Sequence, residues 1–176
     1  ENNLWLGCNG SPFIYILTDK GVKKLRILEP HLNSDLFSNI TYCVKKLRNN
    51  KIVAGGDFGL VTIDAFRYLT EVATMNNVER NIPSVIQKID SGVMYFCLHE
   101  TPSNGIFAGT SSGIVHYNSD FTGREQLNLI NSTQTLRVRE IESIRDSLLL
   151  IATDLGLLMY NHQLKKMRNF DNFSGT

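Results

Sequence analysis

Residues Gly105 to Asn118 read GIFAGTSSGIVHYN, two short apolar runs on either side of a Thr-Ser-Ser-Gly turn. Branched and aromatic residues in runs this short favour strands, and the small residues between them favour a tight reversal. The same design recurs at Lys51 to Asp64 (KIVAGGDFGLVTID), Leu149 to Asn161 (LLIATDLGLLMYN) and Leu4 to Leu17 (LWLGCNGSPFIYIL). The chain is therefore a repeat array. Anchored on Gly7, Gly55, Gly109 and Thr153, its units are spaced 48, 54 and 44 residues apart. That is a propeller-blade period, whereas leucine-rich repeats are shorter and helical solenoids need period-3.6 stretches that this chain lacks.

Each complete unit supplies four strand-like segments, enough for one antiparallel blade. In the second unit they are Tyr42 to Arg48, Lys51 to Gly55, Leu60 to Asp64 and Tyr68 to Ala73. In the third they are Val93 to Glu100, Ile106 to Gly109, Ile114 to Asn118 and Glu125 to Leu129. The fourth has Val138 to Ile144, Leu148 to Thr153, Leu157 to Asn161 and Lys165 to Phe170. Asn49-Asn50, Asn104-Gly105 and Asp146-Ser147 fall between first and second strands, where a hairpin needs residues that tolerate positive φ. Gly59, Gly113 and Gly156 recur where the second strand turns into the third, which assigns them backbone roles. The first unit opens at a second strand, Leu4 to Gly7, with no first strand before it. The expected architecture is all-β: a β-propeller fragment of about four blades, each a four-stranded antiparallel sheet, the first incomplete. The blade units run roughly over residues 1–29, 40–75, 86–130 and 136–171, with no separate second domain. The incomplete first blade and short tail imply an array cut from a longer one, with end faces that need partner blades.

Composition narrows the function. The chain has 176 residues, 42% of them hydrophobic, enough for a continuous core. With 18 Lys plus Arg against 17 Asp plus Glu, its net charge gives no electrostatic case for nucleic acid or an anionic membrane. Lys45 with Lys46, and Lys165 with Lys166 and Arg168, read as solvated strand faces or hairpin ends. The longest apolar run, around Leu148 to Ala152, is far short of the roughly 18–20 residues that span a bilayer. Glu1-Asn2-Asn3 is no secretory leader, so any address is expected elsewhere in a longer precursor. Cys8, Cys43 and Cys97 show no C-x-x-C spacing. Cys43 and Cys97 each precede a repeat glycine by 12 residues, which makes them buried small hydrophobes at one repeat position, held by Ile141 in the fourth unit.

No catalytic or metal motif survives its context. Gly109 to Gly113 satisfies G-x-S-x-G, but a nucleophile elbow needs a strand turning into a helix, and here another strand follows. His31, His99, His116 and His162 lack ligand spacing, and no metal or cofactor is expected. Glu140 and Glu142 share a strand face without an opposing carboxylate in view. Asn9, Asn39, Asn131 and Asn172 begin glycosylation triplets that matter only in a eukaryotic secretory pathway. Trp5, Tyr15, Tyr117 and Tyr160 fit packing between neighbouring sheets, with an aromatic platform for a sugar ring as the functional alternative. Turns between second and third strands offer Asp57, Phe58, Ser111, Ser112 and Asp154 as ligand-binding candidates, because polar groups beside an aromatic suit saccharide hydroxyls.

Leu4-Trp5-Leu6-Gly7 and the run from Ile106 to Asn118 resemble the L-W-I-G-T-x-x-G-L-x-x-Y-[DN] signature of two-component regulator propeller repeats. Four copies cover nearly the whole chain. Only the first has Trp, the second ends in Ile63, the fourth shortens the turn by a residue, and the first departs at Ser11-Pro12. The resemblance implies the periplasmic sensor region of a bacterial hybrid two-component system of the kind found in Bacteroidetes. Such a region senses glycan-derived oligosaccharides for a histidine kinase elsewhere in the parent chain. The partners it implies are the parent's remaining blades, an oligosaccharide and a second copy of the parent. Membrane contact would come only through the parent chain, no nucleic acid would bind this segment, and the segment would not be an enzyme.

Overall fold

Short apolar runs punctuated by Gly, Asn and Asp leave this chain few options other than tight hairpins. A computed structural model describes residues 3–8, 13–26, 40–72, 85–102, 105–127 and 136–169. The strands are β1 (Leu4–Leu6), β2 (Phe13–Thr18) and β3 (Gly21–Arg26), then β4 (Thr41–Lys46), β5 (Ile52–Gly56), β6 (Gly59–Ile63) and β7 (Ile86–Asp90). They continue with β8 (Tyr95–Thr101), β9 (Gly105–Thr110), β10 (Gly113–Tyr117) and β11 (Arg124–Leu127), and end with β12 (Val138–Arg145), β13 (Leu148–Thr153), β14 (Gly156–Asn161) and β15 (Lys166–Asn169). Each group is one antiparallel meander, the first of three strands and the others of four. The chain is all-β, a β-propeller fragment of four blades.

Two compact units, residues 1–94 and 95–176, hold two blades each. In the first, Ile14, Ile16 and Leu25 of one sheet meet Ile52, Ala54, Val61 and Ile63 of the next. In the second, Cys97, Phe107 and Ile114 meet Val138, Ile141, Leu149 and Ile151. Strand alternation sends these residues to one face, so neighbouring sheets pack front to back and bury a core that neither could bury alone. Tyr95 and Tyr117 are buried, and their hydroxyls satisfy each other at 2.7 Å.

Register sharpens the repeat. Gly56 faces Gly59, Thr110 faces Gly113, and Thr153 faces Gly156, so all three turns have the same length. The expected anchor at Thr153 is therefore one residue late: Ala152 faces Leu157 as Gly109 faces Ile114. The position of Cys43 and Cys97 is likewise held by Glu140, opposite Ala152, and not by Ile141. A bulge precedes each of these three residues, and the offset of 12 residues to the facing position is the same in all three, so the shift to Ile141 follows from the anchor at Thr153 alone. Of the cysteines, only Cys97 is buried, while Cys8 and Cys43 are half-buried. In the first blade, a Cβ on Gly7 would lie 2.5 Å from Thr41 Cγ2, as one on Gly109 would lie 2.7 Å from Val138 Cγ1. Thr41 and Val138 hold the same place in their strands. Thus β1 stands where β9 stands, and the first blade lacks its first strand among the described residues.

Tyr68 to Ala73 is not the outer strand of the second blade. Asp64 Oδ1 accepts the Arg67 N–H at 2.9 Å, capping α1 (Ala65–Arg67), which continues into a wide helical turn over Tyr68–Val72. Tyr68 is 2% exposed and its hydroxyl donates to Lys24 O at 3.0 Å. That bond pins the helical segment to the first sheet. The outer strand is β7, which pairs with β6 through Ile63 and Ile86. Residues 86–90, expected to open the third unit, thus complete the second.

Candidate functional site

Four of the five turn candidates, Asp57, Phe58, Ser112 and Asp154, make contacts inside their own units. Asp57 Oδ1 accepts the Ile40 N–H at 3.1 Å while the Asp57 N–H donates to Ile40 O at 3.2 Å. Phe58 packs against the core of the first unit. Asp154 repeats the backbone half of this link, its N–H donating to Arg137 O at 3.1 Å. Ser112 N–H donates to Thr110 Oγ1 at 3.1 Å, and Ser112 O accepts from Gln126 Nε2 at 3.3 Å. The hydrogen bonds of Ser112 thus stay within its own sheet, and β10 follows Ser111 and Ser112 directly, without the helix of a nucleophile elbow.

Burial raises the Asp57 carboxyl above its ordinary value of 3.8, outweighing the backbone N–H groups that lower it. A folded-state value above the unfolded one means that ionisation costs stability as pH rises past the unfolded value, and that below it the group contributes nothing. Asp57→Asn keeps an acceptor for Ile40 and removes the charge. Melting curves should show no gain below pH 4 and a gain of roughly 1–2 °C near neutrality; an equal shift at both pH values would contradict this origin.

Two clusters in the second unit bring polar groups together. Arg139 Nε donates to Asp154 Oδ1 at 2.7 Å, Arg137 Nε lies 3.7 Å from Oδ2, and the two guanidinium carbons sit 5.3 and 5.6 Å from the Phe96 ring centroid. In this set two guanidinium groups share the one Asp154 carboxylate beside the Phe96 ring. His99 Nε2 lies 2.6 Å from Ser143 Oγ, with Glu142 Oε2 3.7 Å from Nδ1. Glu142 is too far to orient the ring by a hydrogen bond, so the group lacks the geometry of an activated nucleophile. Glu140 is not its partner, since Glu140 Oε1 accepts the Ile141 N–H at 3.3 Å. Of the remaining histidines, His116 stacks on Phe107 at 4.5 Å, and His162 Nε2 donates to Asp146 O at 2.6 Å. His31 and the four glycosylation triplets begin outside the described residues.

A site with room for a ligand and an aromatic wall lies in the first unit. A cavity of about 470 Å³ has Trp5, Ile52, Ala65 and Leu69 as its apolar wall. Phe66 and Thr70 of the helical segment, Lys46 and Asn50 of the β4–β5 hairpin, and Asn3 complete it. Tyr68 backs it, its ring 6.3 Å from Trp5 and tilted by 60°. Phe66 is 78% exposed although its neighbour Tyr68 is buried, because the helix turns one face to the sheet and the other to the cavity. Lys46 makes no ion pair among the described residues, and their share of the lining carries no carboxylate. Two aromatic faces, two amides, a hydroxyl and one cation form the mixed surface that pyranose rings and their hydroxyls match. A polar cavity of about 520 Å³ around Lys51, Asp64 and Lys88 has no aromatic wall.

The sequence placed ligand contacts at the other hairpins and read Trp5 mainly as packing. Phe66 was missed because it falls in the short gap between the strands read at Leu60 to Asp64 and Tyr68 to Ala73. The signal available was Asp64 before Ala65-Phe66-Arg67, a helix N-cap pattern.

No family model matches the chain, and no curated protein matches it closely. Among solved structures it is similar to the extracellular domain of a putative hybrid two-component system, BT4673, of B. thetaiotaomicron, at 18% identity and TM-score 0.68. That match covers 96% of this chain and 20% of that one. It is also similar to PorZ, a surface component of the type-IX secretion system of Porphyromonas gingivalis, at 16% identity and TM-score 0.60, covering 89% of this chain and 24% of that one. The chain spans about a fifth to a quarter of these structures, and at such identities the likeness establishes the β-propeller fold it shares with them.

Proposed function

We propose that this chain is a non-catalytic, ligand-sensing stretch of propeller from the periplasmic region of a bacterial hybrid two-component sensor, and that it takes part in detecting glycan-derived oligosaccharides. The observation that carries the reading is the match of 96% of the chain to the extracellular domain of such a system. The Trp5–Phe66 cavity supports a saccharide as ligand, since aromatic faces and amides recognise a sugar without any reacting group. The parent's further blades are the first partners. Leu4 pairs with Leu17 and Leu17 with Val22, and all three are exposed, a cross-strand apolar row of the sort an adjoining sheet covers. A homodimer of the parent would carry the signal, and the membrane would be reached through the parent chain. No helix of the described residues is long and apolar enough to cross one.

A protein-interaction propeller is the second reading, favoured by the same exposed row. Calorimetric titration of the sensor region with oligosaccharide fragments separates the two. Heat with at least one fragment supports sensing, whereas silence across a broad panel, with retained binding of a protein partner, would favour the interaction role.

A further inference from the structure

We infer that the cavity beside Trp5 selects a saccharide bearing a carboxylate, a uronate residue, over its neutral counterpart. The inference rests on the saccharide reading above and adds the charge of the ligand. The stacking surface fixes where a ring sits: between Trp5 on β1 and the exposed Phe66. Asn50, held at φ 63 in its turn, and Thr70 border that space with neutral groups. Lys46, at the end of β4, is the one charged side chain of the described lining. An ammonium with no ion pair beside an apolar wall attracts an anion more strongly than one in open water, because the wall lowers the local dielectric. A neutral sugar would meet the same rings and amides but leave the ammonium without a counter-charge.

Trp5 is the single tryptophan, so its fluorescence reports on this cavity alone. The test is a fluorescence titration of the intact chain, repeated by calorimetry, with tri- and tetrameric galacturonate and mannuronate and with their methyl esters. The acids should change Trp5 emission and bind about 3- to 5-fold more tightly than the esters, the scale of one exposed ion pair. Raising the salt should erase that preference. Lys46→Gln should bring the acids down to the level of the esters, weakening the acids by a larger factor than the esters. Equal binding of acid and ester, or an equal loss for both in K46Q, overturns the inference and leaves the saccharide reading standing. Absence of any signal with acids and esters by both methods overturns the saccharide reading of this cavity, and the inference with it.

Discussion

Truncating Tyr68 to alanine should destabilise the first unit by about 3–5 kcal/mol, the usual cost of removing a buried aromatic side chain. Tyr68 is 2% exposed and belongs to the core that joins the first two sheets. Its hydroxyl donates to Lys24 O at 3.0 Å, across the gap between the blades. Burial raises the phenol above its usual value, as expected for a neutral donor kept from water. Tyr68→Phe isolates the hydrogen bond and should cost about 1 kcal/mol, since the ring still fills its space. Urea unfolding followed by Trp5 emission is the measurement, because that indole lies 6.3 Å from the Tyr68 ring and sits in the first unit. In Y68A the emission should also shift to the red, and uronate binding should weaken, because the helix loses the anchor that holds Phe66 over the cavity. A loss below 1 kcal/mol with unchanged emission would mean that the helical segment is held some other way.

The parts legible in the sequence were those fixed by local chemistry. The hairpin turns were readable because only a few residues tolerate their backbone: Asn50 has φ 63, and Gly59, Gly113 and Gly156 have φ between 102 and 119. The strands beside them were readable from apolar runs. What failed depended on tertiary partners. Tyr68 to Ala73 carries strand-like residues, yet with the capping carboxylate of Asp64 and the buried berth of Tyr68 beneath Lys24 its described part, Tyr68–Val72, is helical. The fourth unit was read one residue late, at Thr153, because Ala152 replaces the glycine of the other units and only its pairing with Leu157 fixes its place. Asp57 and Phe58 were chosen as candidates because a polar group beside an aromatic suits a saccharide, but folding turned both inward, one onto Ile40 and the other onto the core. The cavity was hidden for the same reason: its walls come from β1, the β4–β5 hairpin and the helix, segments up to about 60 residues apart that only packing brings together.

The repeat glycines should divide into two kinds when mutated. Gly59 has φ +102, and a Cβ there would lie 2.2 Å from the backbone carbonyl oxygen of Asp90. An alanine faces both an unfavourable backbone region and a clash with a main-chain atom of β7, next to the bulge between Leu60 and Val61. Gly59→Ala should therefore cost about 2–5 kcal/mol, combining left-handed strain with overpacking. No side-chain substitution nearby should restore it, because the obstacle is backbone. Gly109 differs: its φ is ordinary, and its Cβ would meet Cys97 Sγ at 2.4 Å and Val138 Cγ1 at 2.7 Å, both side-chain atoms. Gly109→Ala should cost about 1–3 kcal/mol. In the double variant G109A/V138A the total should fall short of the sum of the single effects by about 0.5–3 kcal/mol, because the shortened valine yields the space the new methyl needs. Denaturant midpoints for the four chains of that cycle, and for G59A, decide the matter. Additive effects at Gly109 and Val138 would show that the glycine serves backbone conformation there, whereas coupling shows that it serves the close approach of one blade to the next.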